Sequence, residues 1–249
     1  MPERAALNAI APVVRAAGFS ALQKNTEAFA ARVVALLPAL EGRRVLEIGS
    51  GSGETALYIR KARPLAQVTG IDFSAENVAV AQARGGGSGV AYVCADYLDW
   101  QGGRFDLIAA DSVLHLIDAP FPCLAAKLAT DLAPGGIVVA TVPDAGMLNR
   151  AHLVLRRLWR CMPAAADRVA LAVALRLYPG LSREVLANRL PYLRLLPRLF
   201  GPAEQRTFAA TGLVLERNER WPGSSVAKPR HRLMVWRVGS AAEHAAGRS

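Results

Sequence analysis

The stretch VLEIGSGSGE, residues 45–54, sets two carboxylates around a glycine-rich turn: Glu47 before it and Glu54 after it, with Gly49, Ser50, Gly51 and Gly53 between. A turn of this composition between a strand and a helix offers backbone N–H groups and the positive end of a helix, and it usually holds an anion. Two phosphate readings fail on detail. A P-loop needs GxxxxGK[ST], and the lysine is missing. The dinucleotide fingerprint GxGxxG needs a different glycine spacing, and position 54 is glutamate. A glutamate in the first helical turn repels a pyrophosphate, and Glu47 adds a second negative group at the strand end. The turn therefore suits a ligand that carries a cation and no phosphate.

The elements that must position this turn alternate regularly. Strand candidates are 44–49, 67–72, 90–95, 105–111 and 136–142, and helix candidates at about 54–63, 75–84 and 118–132 lie between them. Pro64, the run Gly85-Gly86-Gly87 and the turn Ala133-Pro134-Gly135-Gly136 punctuate the helix ends. Mostly apolar strands alternating with helices imply a parallel sheet covered on both faces, an α/β doubly wound fold of Rossmann-like type. Ligands then bind at the carboxyl ends of the strands. Strand candidates at 211–220 and 231–238 bring the sheet to seven. Residues 1–40 read as an N-terminal helical cap, 41–146 and 201–239 as the core, 147–200 as a helical insertion and 240–249 as a disordered tail.

S-adenosyl-L-methionine (SAM) is a ligand of the required character, with an ammonium, a sulfonium, an adenosine and one carboxylate. Residues 40–143 resemble the class I SAM-dependent methyltransferases, through an ordered set of motifs: VLEIGSGSG, GIDFS (70–74), CADYLDW (94–100), FDLIAADSVLHLID (105–118) and LAPGGIVVATVPD (132–144). The resemblance implies a cofactor site made by Glu47 near the methionine ammonium and by Gly49, Ser50, Gly51 and Gly53 at the backbone. It further implies Asp72 at the ribose hydroxyls with Phe73 beside it, Asp96 at the adenine amino group, and Tyr97 beside the ring. The acceptor is then expected at the end of the fourth strand, among Asp111, Ser112, Val113, Leu114 and His115. Asp111 and His115 are the catalytic candidates, and Asp111 also counts with the cofactor set. Histidine titrates near neutral pH, so His115 is the candidate base and a substrate contact.

The 147–200 segment lies where many small-molecule members of this family carry a helical lid. As a lid it would close an apolar pocket and exclude water. Arg150, Trp159 and Tyr178 are its candidate substrate contacts, and Phe19, Gln23 and Asn25 could form the opposite wall. The arginines of this segment read as the solvated face of an amphipathic helix, or as a contact for an acidic substrate group, an acyl carrier protein or an anionic membrane surface.

The chain has 249 residues, is 52% hydrophobic and 20% charged, and so can bury a core. Its net charge of +10 comes almost wholly from arginine. That charge keeps an RNA methyltransferase open, yet no separate basic module with interleaved aromatics accompanies it, and the NPPY and DPPY signatures are absent. No metal-ligand spacing occurs among the three cysteines, Cys94, Cys123 and Cys161. Neither a secretion signal nor a membrane span is expected, which points to the cytoplasm. The expectation is a SAM-dependent methyltransferase for a small, apolar or aromatic acceptor such as a quinone or secondary metabolite, with no nucleic acid and with room for a homodimer. The rival from another class is a SAM-binding partner protein without catalysis.

Overall fold

The computed structural model describes residues 20–36, 42–163, 165–180, 182–183, 186–187, 194, 196–222 and 230–239. Its first element is α1 (Ser20–Leu36), and residues 1–19 of the expected cap, with Phe19, lie outside the described residues, as do the side chains of Gln23 and Asn25 and the tail 240–249. The core then runs β1 (Arg44–Ile48), α2 (Glu54–Ala62), β2 (Gln67–Asp72), α3 (Ala75–Arg84), β3 (Ala91–Cys94), β4 (Phe105–Asp111), a 3-10 turn at Leu114–Leu116, α4 (Phe121–Thr130) and β5 (Leu132–Pro143). Helices α5 (Met147–Cys161) and α6 (Ala165–Leu177) follow, and the chain returns through α7 (Pro202–Ala210), β6 (Leu213–Arg220) and β7 (His231–Val238).

The seven strands form one sheet in the order β3-β2-β1-β4-β5-β7-β6. The first five are parallel, and β7 pairs antiparallel with both β5 and β6. Period-2 alternation explains how both faces are covered. Val45, Leu107, Ala109, Val139 and Val235 point to one side, under α1, α2 and α3. Leu46, Ile108, Ala110, Val138 and Trp236 point to the other, under α4 and α7. Phe200, Phe208 and Trp236 stack into the second core, with the Phe208 and Trp236 rings 5.0 Å apart.

Two boundaries differ from the sequence reading. The helix expected over 118–132 begins at Phe121, after Pro120, whose ring fits the start of a helix but removes a donor. The last parallel strand begins at Leu132 and not at 136, because Leu132 pairs with Phe105 across a bulge before regular register resumes at Leu107 and Ile137.

The insertion is fastened at both ends. Segment 196–200 comes back alongside the end of β5, with Phe200 N–H donating to Pro143 O at 2.8 Å and Ala145 N–H to Phe200 O at 3.2 Å. Asn149 is buried in the first turns of α5. Its amide donates to Asp144 O, Asp144 Oδ1 and Arg230 O at 2.8–2.9 Å, and its Oδ1 accepts Arg230 N–H at 2.7 Å.

Candidate functional site

The strand order reverses between β1 and β4, and the chemistry gathers at the carboxyl ends there. Glu47 ends β1 with its side chain buried, and its Oε2 accepts Ala56 N–H at 2.9 Å from the first turn of α2. Burial pushes its carboxyl up to about 8. Hydrogen bonds from Thr55 and Ala56 oppose that shift, and the charges of Asp111 and Asp72 add to it. The turn between them needs its glycines. Gly49 has φ +68°, and a Cβ there would lie 2.5 Å from Val113 Cγ2. Gly53 has φ +80°, and a Cβ there would strike the Tyr92 hydroxyl, which donates to Gly53 O at 3.0 Å. Ser50 is buried with its N–H on Ile71 O, and its hydroxyl has no hydrogen-bond partner among the described residues.

Asp72 ends β2 and is buried. Its Oδ2 accepts Gly51 N–H and its Oδ1 accepts Ser74 N–H, both at 2.9 Å, so it links the glycine turn to the start of α3. Asp96 follows β3 and accepts Leu98 N–H at 2.9 Å, which folds the YLDW turn. Phe73 is exposed beside Asp72. Tyr97 sinks into the core with the Lys127 ammonium 4.9 Å over its ring, and burial with Asp131 nearby raises its phenol. A cavity of about 560 Å³ opens between these ends. Four aspartates line it (72, 96, 99 and 118), together with Gly49, Phe73 and Tyr97, and among the described residues no lysine or arginine does.

At the end of β4, register sets Thr141 of β5 opposite Asp111. The Thr141 hydroxyl donates to Asp111 Oδ1 and accepts Ser112 N–H at 2.8 Å. Burial raises the Asp111 carboxyl, and the Thr141 and Ser112 hydrogen bonds pull it back. Ser112 has φ +58°, a strained conformation for a residue with a Cβ, and strain of this kind concentrates where a chain is held for function. His115 follows in the 3-10 turn, buried, with its ring centroid 5.5 Å from that of His231 at the start of β7. Burial first, then His231 and Arg156, hold its imidazole well below the ordinary histidine range. Thr141, His231, Tyr92 and Asn149 carry no sequence signal of their own. Strand register and the antiparallel return of β7 bring the first two to the site.

The lid candidates do not gather with these groups. Arg150 is exposed, with its Nε on Ala145 O, and lines a second cavity with Arg157 and Arg198. The Trp159 indole N–H donates to Asp167 at 3.2 Å, and Tyr178 sits exposed past the end of α6; neither lines either cavity. The side of α5 turned to the protein carries Asn149, His152 and Arg156 together with Leu153 and Trp159, a mixed wall where the sequence reading expects an apolar one. Among the described residues no cluster of His, Cys, Asp or Glu could hold a metal ion.

Residues 45–136 match the methyltransferase domain family. The fold is that of magnesium protoporphyrin IX methyltransferase from Synechocystis, solved with bound S-adenosylhomocysteine: TM-score 0.58, 17% identity, covering 88% of this chain and 86% of that one. Residues 45–136 are thus similar to a methyltransferase domain, and the fold is one that SAM-dependent methyltransferases share. The 1,6-didemethyltoxoflavin N1-methyltransferase of Burkholderia thailandensis shares the fold at TM-score 0.58 and 18% identity, over 87% of this chain and 79% of that one. A trans-aconitate 2-methyltransferase of Acidovorax sp. is 32% identical over 143 residues, 55% of this chain and 54% of its own length. The chain thus spans about half the length of that curated relative. The residues at these strand ends fit SAM, the cofactor of proteins that share the fold. The aspartate-lined cavity and buried Glu47 accept a cationic, phosphate-free ligand, and the glycine turn leaves room for close approach.

Proposed function

We propose that this protein transfers a methyl group from SAM to an O, N or C atom of a small acceptor, apolar or aromatic, of the quinone or secondary-metabolite type. The observation that carries methyl transfer is the convergence of Glu47, Asp72 and Asp111 at neighbouring strand ends beside a cavity lined by four aspartates. When bound, SAM supplies a methyl on a sulfonium that a nucleophile displaces in line. Glu47 would hold the ammonium, Asp72 the ribose hydroxyls and Asp96 the adenine amino group, with Phe73 and Tyr97 at the ring. Asp111, fixed by Thr141 and Ser112, holds the end of β4 rigid beside the acceptor. His115 faces the acceptor as a neutral imidazole at pH 7, ready to take one proton, and its low basicity suits an acceptor atom that ionises readily. The 147–200 segment acts as the lid, and the residue it brings toward the acceptor end is Arg156, which bears on His115, rather than Arg150, Trp159 or Tyr178.

An acceptor that bears a carboxylate is a second reading. The imidazoles of His115 and His231 and the nearby Arg156 favour it, as does the similarity to trans-aconitate 2-methyltransferase. The aspartate-lined cavity supports a small molecule over RNA, whose phosphates it would repel. Three free, exposed cysteines support a reducing compartment, the cytoplasm.

The test is release of S-adenosylhomocysteine on a panel of phenols, quinones and carboxylic acids, with the products identified by mass spectrometry. Turnover on one class, reduced about a hundredfold or more by His115→Ala, is the expected result. Cofactor binding without turnover on any acceptor would move the chain to the class of non-catalytic SAM-binding partners. Full turnover by His115→Ala across about pH 6–9 would remove the histidine from proton transfer.

A further inference from the structure

Helix α5 leaves most of its apolar residues exposed. An amphipathic helix on a folded core buries its apolar stripe and exposes its charges. In α5 the inward positions are Asn149, His152, Leu153, Arg156 and Trp159, a mixed polar and apolar side with only Asn149 fully buried. The outward stripe is Leu148, Ala151, Leu155, Leu158 and, just past the helix end, Met162, all of them exposed. This exposure has a cause within the molecule: Asn149 must reach Asp144 and Arg230, and Arg156 lies close enough to bear on His115. Helix α6 repeats the exposure, with Val169, Val173 and Leu177 four residues apart on one side and no buried residue at all. An apolar surface of this extent on consecutive helices needs an occupant.

Charge identifies the occupant. Between Met147 and Leu177 there are six arginines (150, 156, 157, 160, 168 and 176) against one acid, Asp167, which is already paired with Arg194 at 3.0 Å. A second copy docked through the same face would set these arginines against one another, so self-association through it is disfavoured. Beside α5, Arg150, Arg157 and Arg198 line a cavity of about 500 Å³ near the start of α7 together with one acid, Glu204, which accepts Gly201 N–H at 2.9 Å. Three arginines against that one acid leave the cavity positive in sign, which suits a phosphate headgroup. Among the described residues no helix is long and apolar enough to cross a bilayer.

We propose that α5 and α6 lie on the surface of an anionic membrane. The outward leucines and valines sit at the boundary between headgroups and acyl chains, and the flanking arginines sit on lipid phosphates. This placement stands independently of which acceptor is methylated, and it would bring an apolar acceptor to the lid side of the site.

The experiment is flotation of the full chain with vesicles of phosphatidylcholine alone and of phosphatidylcholine mixed with phosphatidylglycerol. The protein should float with the anionic vesicles and much less with the neutral ones, and added salt should release it. The double variant Leu155→Asp/Leu158→Asp changes only exposed positions, so it should keep the SAM affinity of the unmodified chain while its partition falls about tenfold or more. Val173→Asp on α6 should lower partition independently. Absence of flotation at low salt, or a double variant that floats like the unmodified chain, would overturn the proposal. So would a dimer in size-exclusion that the double variant converts to monomer without any vesicle binding, or capture of an acidic carrier protein in place of vesicles.

Discussion

Glu47 concentrates the electrostatics of the site in one side chain. A carboxyl pushed up to about 8 by burial is largely protonated at pH 7, whereas a carboxylate is the better partner for an ammonium. Cofactor binding should therefore release a proton. In calorimetry near pH 7 the SAM binding heat should change with the ionisation enthalpy of the buffer, and Glu47→Gln should abolish that dependence and weaken SAM by roughly 10- to 100-fold. The same residue acts on stability. Its folded value lies above the ordinary 4.5, so its contribution is complete below 4.5 and is lost as pH rises through about 8. The melting temperature of Glu47→Gln should accordingly gain on that of the unmodified chain as pH rises through this window. His115 works in the opposite sense. Its depressed value makes its contribution complete above 6.5 and lost as pH falls toward the folded value.

At the scale of elements, the proposed lid depends on how α5 is anchored. Asn149 makes four hydrogen bonds that tie the start of α5 to Asp144 and to Arg230, at the entry to β7. Asn149→Ala leaves buried backbone groups unpaired, so it should cost about 2–3 kcal/mol in urea unfolding. It should also speed proteolysis within 147–200, and SAM binding should survive because the glycine turn is untouched; loss of SAM binding would tie the lid to the cofactor site. The strands were readable because each is a short apolar run between turn residues, and Asp72 and Asp111 could be placed at their ends from that pattern alone. The start of β5 was not, because pairing of Leu132 with Phe105 overrides the turn signal of Pro134-Gly135. The face that α5 turns inward was also hidden. A helical period gives an apolar stripe but not the partner it meets, and here the Asn149 contacts with Asp144 and Arg230 fix which side of α5 faces in.

At the scale of the molecule, the sheet order converts separate sequence motifs into one site. The ends of β1, β2 and β4 become neighbours, which the alternation of strands and helices implies. The insertion of β7 between β5 and β6 is a long-range choice without local signal, and it alone delivers His231 to His115. The placement of Glu47, Asp72 and Asp111 at neighbouring strand ends was thus legible in ordered local motifs, and the pairing of His115 with His231 was not, because the two lie more than a hundred positions apart. The central claim is that the strand ends form a SAM pocket, and the most direct measurement is calorimetric titration of the unmodified chain and of Asp72→Ala with SAM and S-adenosylhomocysteine, with NADH and ATP as controls. Micromolar binding of the first two by the unmodified chain, greatly weakened in Asp72→Ala, and no binding of the controls is the expected result. Binding of NADH or ATP instead, or SAM affinity unchanged in Asp72→Ala, would contradict it.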